Sequence, residues 1–402
     1  MKTIKFVLIV ICISCSLVQS ADWPQWRGPN RDGVSSETGL LKEWPSEGPA
    51  LLWEKAGLGE GYSSVAVVDE IIYTTGKKDA NEYCTALDIN GNVKWQTDYG
   101  RAWNKDTHRQ ARCTPTVLGN HIYLITGYGD ISCLNRQDGS VIWKVKGLQR
   151  FEGEPQEYQG IAESPLVLDN KLFFTPGGEK TSMVALDRSN GQTLWTSESM
   201  GGTPCFVSPI RIRVNNRDMI VTCTSKALIG VYADTGRIAW RNPDINWAIT
   251  PIYNDRCFYN GHKLLKISGN SNEAEEIWTS KLLAGMSHIV LLGDRIYGTM
   301  NEPNEANVLT CLDWKTGRVL YENREVRNAA IISAEGLLYC YEQNGGKVSL
   351  IKPGSESLEI VGTFRIRKGR GPHYAHPVIS GGRLYMRHGD YLFAYDIKDK
   401  DA

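Results

Sequence analysis

A turn phrase held at a fixed distance from an aromatic, pairs of short apolar strands ahead of each copy, and a repeat of about 40 to 50 residues predict an all-β chain. The fold they imply is an eight-bladed β-propeller with four-stranded antiparallel blades, its ring closed by an N-terminal strand.

The turn phrase is an aliphatic residue, a polar turn ending in Gly, and an aromatic four residues later. It occurs as Asp88-Ile89-Asn90-Gly91 with Trp95, Arg136-Gln137-Asp138-Gly139 with Trp143, and Asp187-Arg188-Ser189-Asn190-Gly191 with Trp195. Asp234-Thr235-Gly236 with Trp240 and Asp313-Trp314-Lys315-Thr316-Gly317 with Tyr321 complete the set. Asn-Gly, Asp-Gly and Thr-Gly reverse a chain by placing a residue at positive φ, and an Asp side chain can accept from the amides of its own turn. The aromatic supplies a flat apolar face for the neighbouring sheet.

Before each turn phrase lies a small or polar residue, often followed by Pro, then an aliphatic run, a two-residue turn and a second run. Copies start at Ser64, Thr114, Ser164, Thr250, His288 and His376. The two phrases together make four short strands per unit. Fourth-strand aromatics fall at Trp53, Trp95, Trp143, Trp195, Trp240, Trp278, Tyr321 and Phe364, and so count eight units. Units five and seven are degraded around Ile267-Ser268-Gly269 and Ile351-Lys352-Pro353. Trp53 has no three strands before it, and the run from Tyr374 to Ile397 has no fourth strand after it. Joining them completes the last blade and removes an open sheet edge.

The first 20 residues carry Lys2 and Lys5 and then an apolar run from Phe6 to Leu17, shorter than the ~20 residues a membrane span requires. With small residues before Ala21, this reads as a signal peptide, residues 1–20. Residues 21–48 form an N-terminal extension and 49–398 a single propeller. Cys15 raises a lipoprotein alternative, which Cys12-Ile13-Ser14 suits poorly. The expected location is the periplasm, cell envelope or exterior. Lys+Arg and Asp+Glu both total 45, so no excess of positive charge points to nucleic acid or an anionic membrane. Of ten cysteines, eight lie beyond the leader, mostly within apolar runs and without Cys-x-x-Cys spacing. They read as buried small hydrophobes rather than metal ligands.

The stretch from Ala185 to Trp195, Ala-Leu-Asp-Arg-Ser-Asn-Gly-Gln-Thr-Leu-Trp, resembles the tryptophan-docking repeat of pyrroloquinoline-quinone (PQQ) type propellers, and the likeness runs over residues 50 to 397. One branch of that family is the quinoprotein alcohol dehydrogenases, which hold PQQ and calcium over the axis. A non-catalytic branch includes the propeller lipoprotein of the outer-membrane β-barrel assembly machine. The opening, Asp22 to Gly33, is similar to the start of exported PQQ-like repeat proteins of planctomycete-type bacteria.

The dehydrogenases carry an adjacent cysteine pair and long capping insertions. This chain has neither, its aromatics never being more than 52 residues apart. The resemblance therefore implies a non-catalytic platform for a protein or ligand in the periplasm or envelope, with no cofactor expected and an envelope protein as partner. The alternative is a PQQ-dependent dehydrogenase, or a relic that still binds the quinone with calcium. A glycan or small-molecule ligand stays open, and the expected state is a monomer.

Function on a propeller concentrates in loops that the rigid sheets position. Polar and aromatic residues near the starts of first strands make an axial funnel: Arg109, Arg112, Glu163, Trp247, His288, Arg327, His373 and His376, with Trp103, His108 and Tyr158 in adjoining loops. Arg forks there suit a carboxylate or a quinone. A wet channel whose walls bond water and each other is the competing reading. His373 and His376 would project to opposite sides of a strand, which disfavours metal ligation.

Overall fold

The computed structural model describes residues 22–105, 110–243, 249–267, 274–280, 289–299 and 307–401. They build eight antiparallel blades of four strands each. Blades 1 to 7 are continuous in sequence: 66–101, 116–146, 166–196, 210–242, 252–279, 290–327 and 329–365. Blade 8 takes three strands from the C-terminus, Val378–Ser380, Arg383–His388 and Tyr391–Asp396. Its outermost strand comes from the N-terminus, Ala50–Lys55, with Trp53 opposite Ala394. The degraded blades five and seven are regular four-stranded sheets, and residues 268–273 of the fifth lie outside the described residues.

The turn phrase marks where one blade grips the next. Five of the six outer-strand indoles donate to a carbonyl in the following blade's turn: Trp53 to Ile89 at 2.9 Å, Trp95 to Arg136 at 3.3 Å, Trp143 to Arg188 at 3.1 Å, Trp195 to Ala233 at 3.1 Å and Trp278 to Trp314 at 3.1 Å. The ring then lies on the turn glycine. A Cβ on Gly91 or Gly191 would stand 2.9 Å from Trp53 or Trp143. Opposite six of the eight outer-strand aromatics the chain places a small residue, Ala86, Cys133, Ala185, Gly230, Cys311 and Ala394, while Trp278 faces Leu264 and Phe364 faces Val348. Two of the cysteines are thus small apolar fillers.

Trp240 departs from this pattern because the blade after it lacks the phrase. Its indole folds over Gly230 and stacks on Phe258 at 4.9 Å. At the next degraded junction the Tyr321 hydroxyl donates to Gly354 O at 3.0 Å. At the last junction the extension supplies the glycine: a Cβ on Gly48 would stand 2.6 Å from Phe364, which also packs on Trp44 and Tyr395.

The extension is folded onto the ring. Val34–Ser35 adds a parallel fifth strand to blade 7, and the Glu335 carboxylate accepts from the amides of Gly39 and Leu40. Glu37 accepts from Gly381 and Gly382 in blade 8. At the seam between blades 8 and 1, buried Arg387 donates to Gly59 O at 2.7 Å and Thr75 O at 3.3 Å.

Candidate functional site

Around the axis, the small polar residue that opens each inner strand ties one blade to the next. The Ser64 amide donates to Thr114 Oγ1 at 3.0 Å, Thr114 to Ser164 Oγ at 3.0 Å, Ser164 to Ser208 Oγ at 2.9 Å, and Ser208 to Thr250 Oγ1 at 3.2 Å. His376 donates to Ser64 Oγ at 2.9 Å, carrying the chain of bonds across the seam between the last blade and the first. A buried amide without a partner is costly, so these hydroxyls are structural by necessity.

One residue earlier, a second set turns back to cap the amide twelve positions on. Ser63 Oγ accepts from Thr75, Cys113 Sγ from Ile125, and Glu163 Oε1 from Thr175 at 2.9 Å. Glu163 is therefore the third blade's counterpart of a serine and a cysteine. Its other oxygen is buried without a hydrogen-bond partner. Burial pushes the carboxyl up to about 8, against the opposing pull of the Thr175 bonds and the Arg31 charge.

Two residues before the tying residues, side chains become half-exposed and define a mouth: Tyr62, Arg112, Phe206 and Tyr374. Tyr62 and Tyr374 meet edge-to-face at 4.9 Å, and Arg112 donates to Gln159 O. Tyr158, in the loop leading to blade 3, is 64% exposed.

The far end of the axis is filled by the extension. Trp23 pairs with Val67 in blade 1, and Pro24 O accepts from Val117 in blade 2. Arg31 reaches Ser164 O at 3.1 Å, Pro209 O at 2.9 Å and Pro165 O, in blades 3 and 4. Arg27 donates to Ile289 O of blade 6 at 2.6 Å, and Gly33 O accepts from Ser333 of blade 7. Trp26 meets the His376 ring at 5.9 Å. Both arginines are 3% exposed, and burial lowers Arg27 to about 10 and Arg31 to about 9. The floor of the funnel is thus packed side chains. A cleft of about 560 Å³ beside this plug is lined by Gln25, Arg31, Arg211, Arg213 and Tyr253.

The funnel residues expected from sequence divide as follows. Arg112, Glu163 and His376 lie at or beside the axis. His373 is buried between blades 7 and 8, bonded to the Tyr341 hydroxyl and stacked on His388 at 3.5 Å. Burial, then the neighbouring His388, lowers it to about 4. The two histidines engage separate partners. Arg327 is exposed at the end of the outermost strand of blade 6 and turns its Nε to Arg324 O at 3.1 Å. Trp103 is a buried wedge whose indole donates to Tyr158 O at 3.0 Å. Arg109, Trp247, His288 and His108 lie outside the described residues.

Sequence reasoning missed Trp26, Arg27 and Arg31. The signal for them was present: residues 22–33 hold two Trp, two Arg, two Pro and two Gly, a density foreign to a linker. Among the described residues no three His, Cys, Asp or Glu side chains converge on one point, and the Thr175 amide takes one oxygen of the axial carboxyl, Glu163 Oε1.

Comparison with known proteins places this geometry. A curated relative, the uncharacterized protein RP232 of Rickettsia prowazekii, is 32% identical over 127 residues, 28% of this chain and 28% of its own length. The crystal structure of BamB from Moraxella catarrhalis superposes at a TM-score of 0.63 with 13% identity, covering 88% of this chain and 98% of that one. A europium-containing methanol dehydrogenase gives 0.66 at 13% identity, covering 92% and 90%. Such identities establish the fold alone. The family model described as outer membrane protein assembly factor BamB matches residues 80–323, more than half the chain and most of the docking repeats. The chain belongs to that family of PQQ-like repeat propellers.

Proposed function

We propose that this protein is a non-catalytic, exported propeller that holds a protein partner of the cell envelope at its mouth. The observation that carries this reading is the contrast between the two ends of the axis. One end is filled by the protein's own Trp26, Arg27 and Arg31, the two guanidinium groups donating to backbone carbonyls. The other presents half-exposed Tyr62, Tyr374, Phe206 and Arg112, with exposed Tyr158 beside them. Aromatics and Arg are the residue types that dominate the energetics of protein interfaces. Membership in a family named for outer-membrane protein assembly supports the envelope setting.

The test is recovery of partners from detergent-treated envelope extracts with the tagged protein and with an Arg112→Glu/Tyr158→Ala variant. The reading expects a defined partner on the first and its loss on the second. Failure to recover any partner in repeated trials counts against it. PQQ with calcium in the same preparation distinguishes the quinone alternative. A true ligand at a hundredfold excess over its Kd stabilises by about 2.7 kcal/mol, and the platform reading expects no shift in Tm and no dye reduction with alcohols.

A further inference from the structure

Three of the eight cysteines of the propeller have a visible structural role. Cys133 and Cys311 fill the small position opposite a docking aromatic, and Cys113 accepts the Ile125 amide. Cys205 does neither. It lies in the segment that leads into blade 4, and what faces it is Cys223, at the end of the second strand of that blade.

The register is well defined. The Ser225 amide donates to Thr203 O at 2.8 Å, Pro204 pairs with Thr224, and the Cys205 amide donates to Cys223 O at 3.1 Å. Cys205 and Cys223 therefore come opposite each other beside that antiparallel bridge, joined by the bond from the Cys205 amide. Side chains of such a pair project to one face, and their Cα atoms stand about 5.5 Å apart. That is the commonest Cα separation across a disulfide. The two thiols belong to the same apolar cluster, and the Cys223 thiol donates to Thr224 O at 3.3 Å.

From this geometry we infer that Cys205 and Cys223 are joined by a disulfide when the chain folds in an oxidising compartment, pinning the mouth residue Phe206 to the body of blade 4. The oxidant is a disulfide, either a disulfide-bearing oxidoreductase or oxidised glutathione. The thiolate of one cysteine attacks it and releases one oxidant thiol. The thiolate of the other then displaces the second, so that one S–S bond forms, one breaks, and two electrons and two protons pass to the oxidant. The exchange precedes completion of the blade, since the side chains are 4% and 1% exposed once folded. In the reduced folded chain the neighbouring Cys205 thiol, then burial, hold the Cys223 thiol well above its ordinary range, so a folded reduced chain is slow to oxidise.

The full chain is refolded with oxidised glutathione, or with reduced glutathione alone, then denatured, alkylated and digested. The inference expects one cross-linked peptide containing Cys205 and Cys223 in the first sample, converted to two alkylated peptides by a thiol reductant. It also expects the Tm of the oxidised protein to exceed that of the reduced protein. In Cys205→Ser and Cys223→Ser variants the remaining cysteine should be alkylated completely and the Tm difference lost. Alkylation of both residues after oxidative refolding, or their appearance in bridges to other cysteines, overturns it. The wild-type mapping decides the matter even if a variant fails to fold, and no result depends on a partner at the mouth.

Discussion

Replacing Gly139 with Ala tests whether blades are held together by an indole lying on the next blade's turn. Gly139 has φ of +73°, and a Cβ there would stand 2.5 Å from Trp95 Cε3 and 2.6 Å from Thr97 Oγ1. Gly119 of the same blade is the control. It too is left-handed, at +59°, but its Cβ would meet nothing within 4 Å. Both substitutions incur the cost of a left-handed alanine, about 1–2 kcal/mol. Gly139→Ala must additionally displace the Trp95 ring and the Thr97 hydroxyl, which donates to Gly139 O at 2.8 Å. Overpacking of this kind costs about 1–3 kcal/mol. Gly139→Ala should therefore be less stable than Gly119→Ala by about 1–3 kcal/mol in urea unfolding followed by circular dichroism, with unchanged m-values. Equal losses in the two variants would refute the docking argument.

The remaining expectations concern the axis and the seam. Arg31→Leu leaves the carbonyls of Ser164, Pro165 and Pro209 without their buried donor, and should destabilise by about 3–5 kcal/mol; an unchanged Tm would remove the plug from the account. Ser164→Ala deprives the Thr114 amide of its acceptor, at a cost of about 1–3 kcal/mol read as a lower urea midpoint. Glu163 keeps its proton up to about 8 in the folded chain against an ordinary 4.5, so between these values the folded state holds a proton that the unfolded state has lost. Its contribution is full below pH 4.5 and falls as pH rises toward 8. Glu163→Gln should therefore lessen the loss of stability between pH 5 and pH 8, the remainder coming in part from Glu82, which burial raises to about 7. Identical declines in wild type and variant would contradict the burial argument. Removal of residues 50–55 takes away the outer strand of blade 8 and the Trp53 contact with Gly91, and should lower Tm markedly; full retention of Tm would break the ring-closure model.

The blade plan was legible because its signals are local. A Gly with positive φ, an aromatic four residues later and a Pro after a small polar residue each act within one turn or one strand. Even the degraded turns were informative, since Trp240 and Tyr321 find other partners at those two junctions. The mouth and axis were legible only in part. Glu163 was conspicuous as a carboxylate, yet its place beside Ser63 and Cys113 becomes visible only when three blades are superposed on one axis. Arg31 contacts carbonyls more than 130 residues away, and no spacing rule links it to them. From sequence, His373 and Arg327 read as lining the axial funnel, but radial position, which separates an axial residue from one between blades or on an outermost strand, is not encoded in a one-dimensional pattern.

The claim that one end of the axis is closed and the other receives a protein is tested most directly by photo-crosslinking in living cells. A photoreactive phenylalanine analogue is placed at Tyr158 beside the mouth or, separately, at Tyr253 beside the plug. The account predicts a discrete adduct with an envelope protein from position 158 and none from position 253. Adducts only from 253, or from neither position, would contradict it.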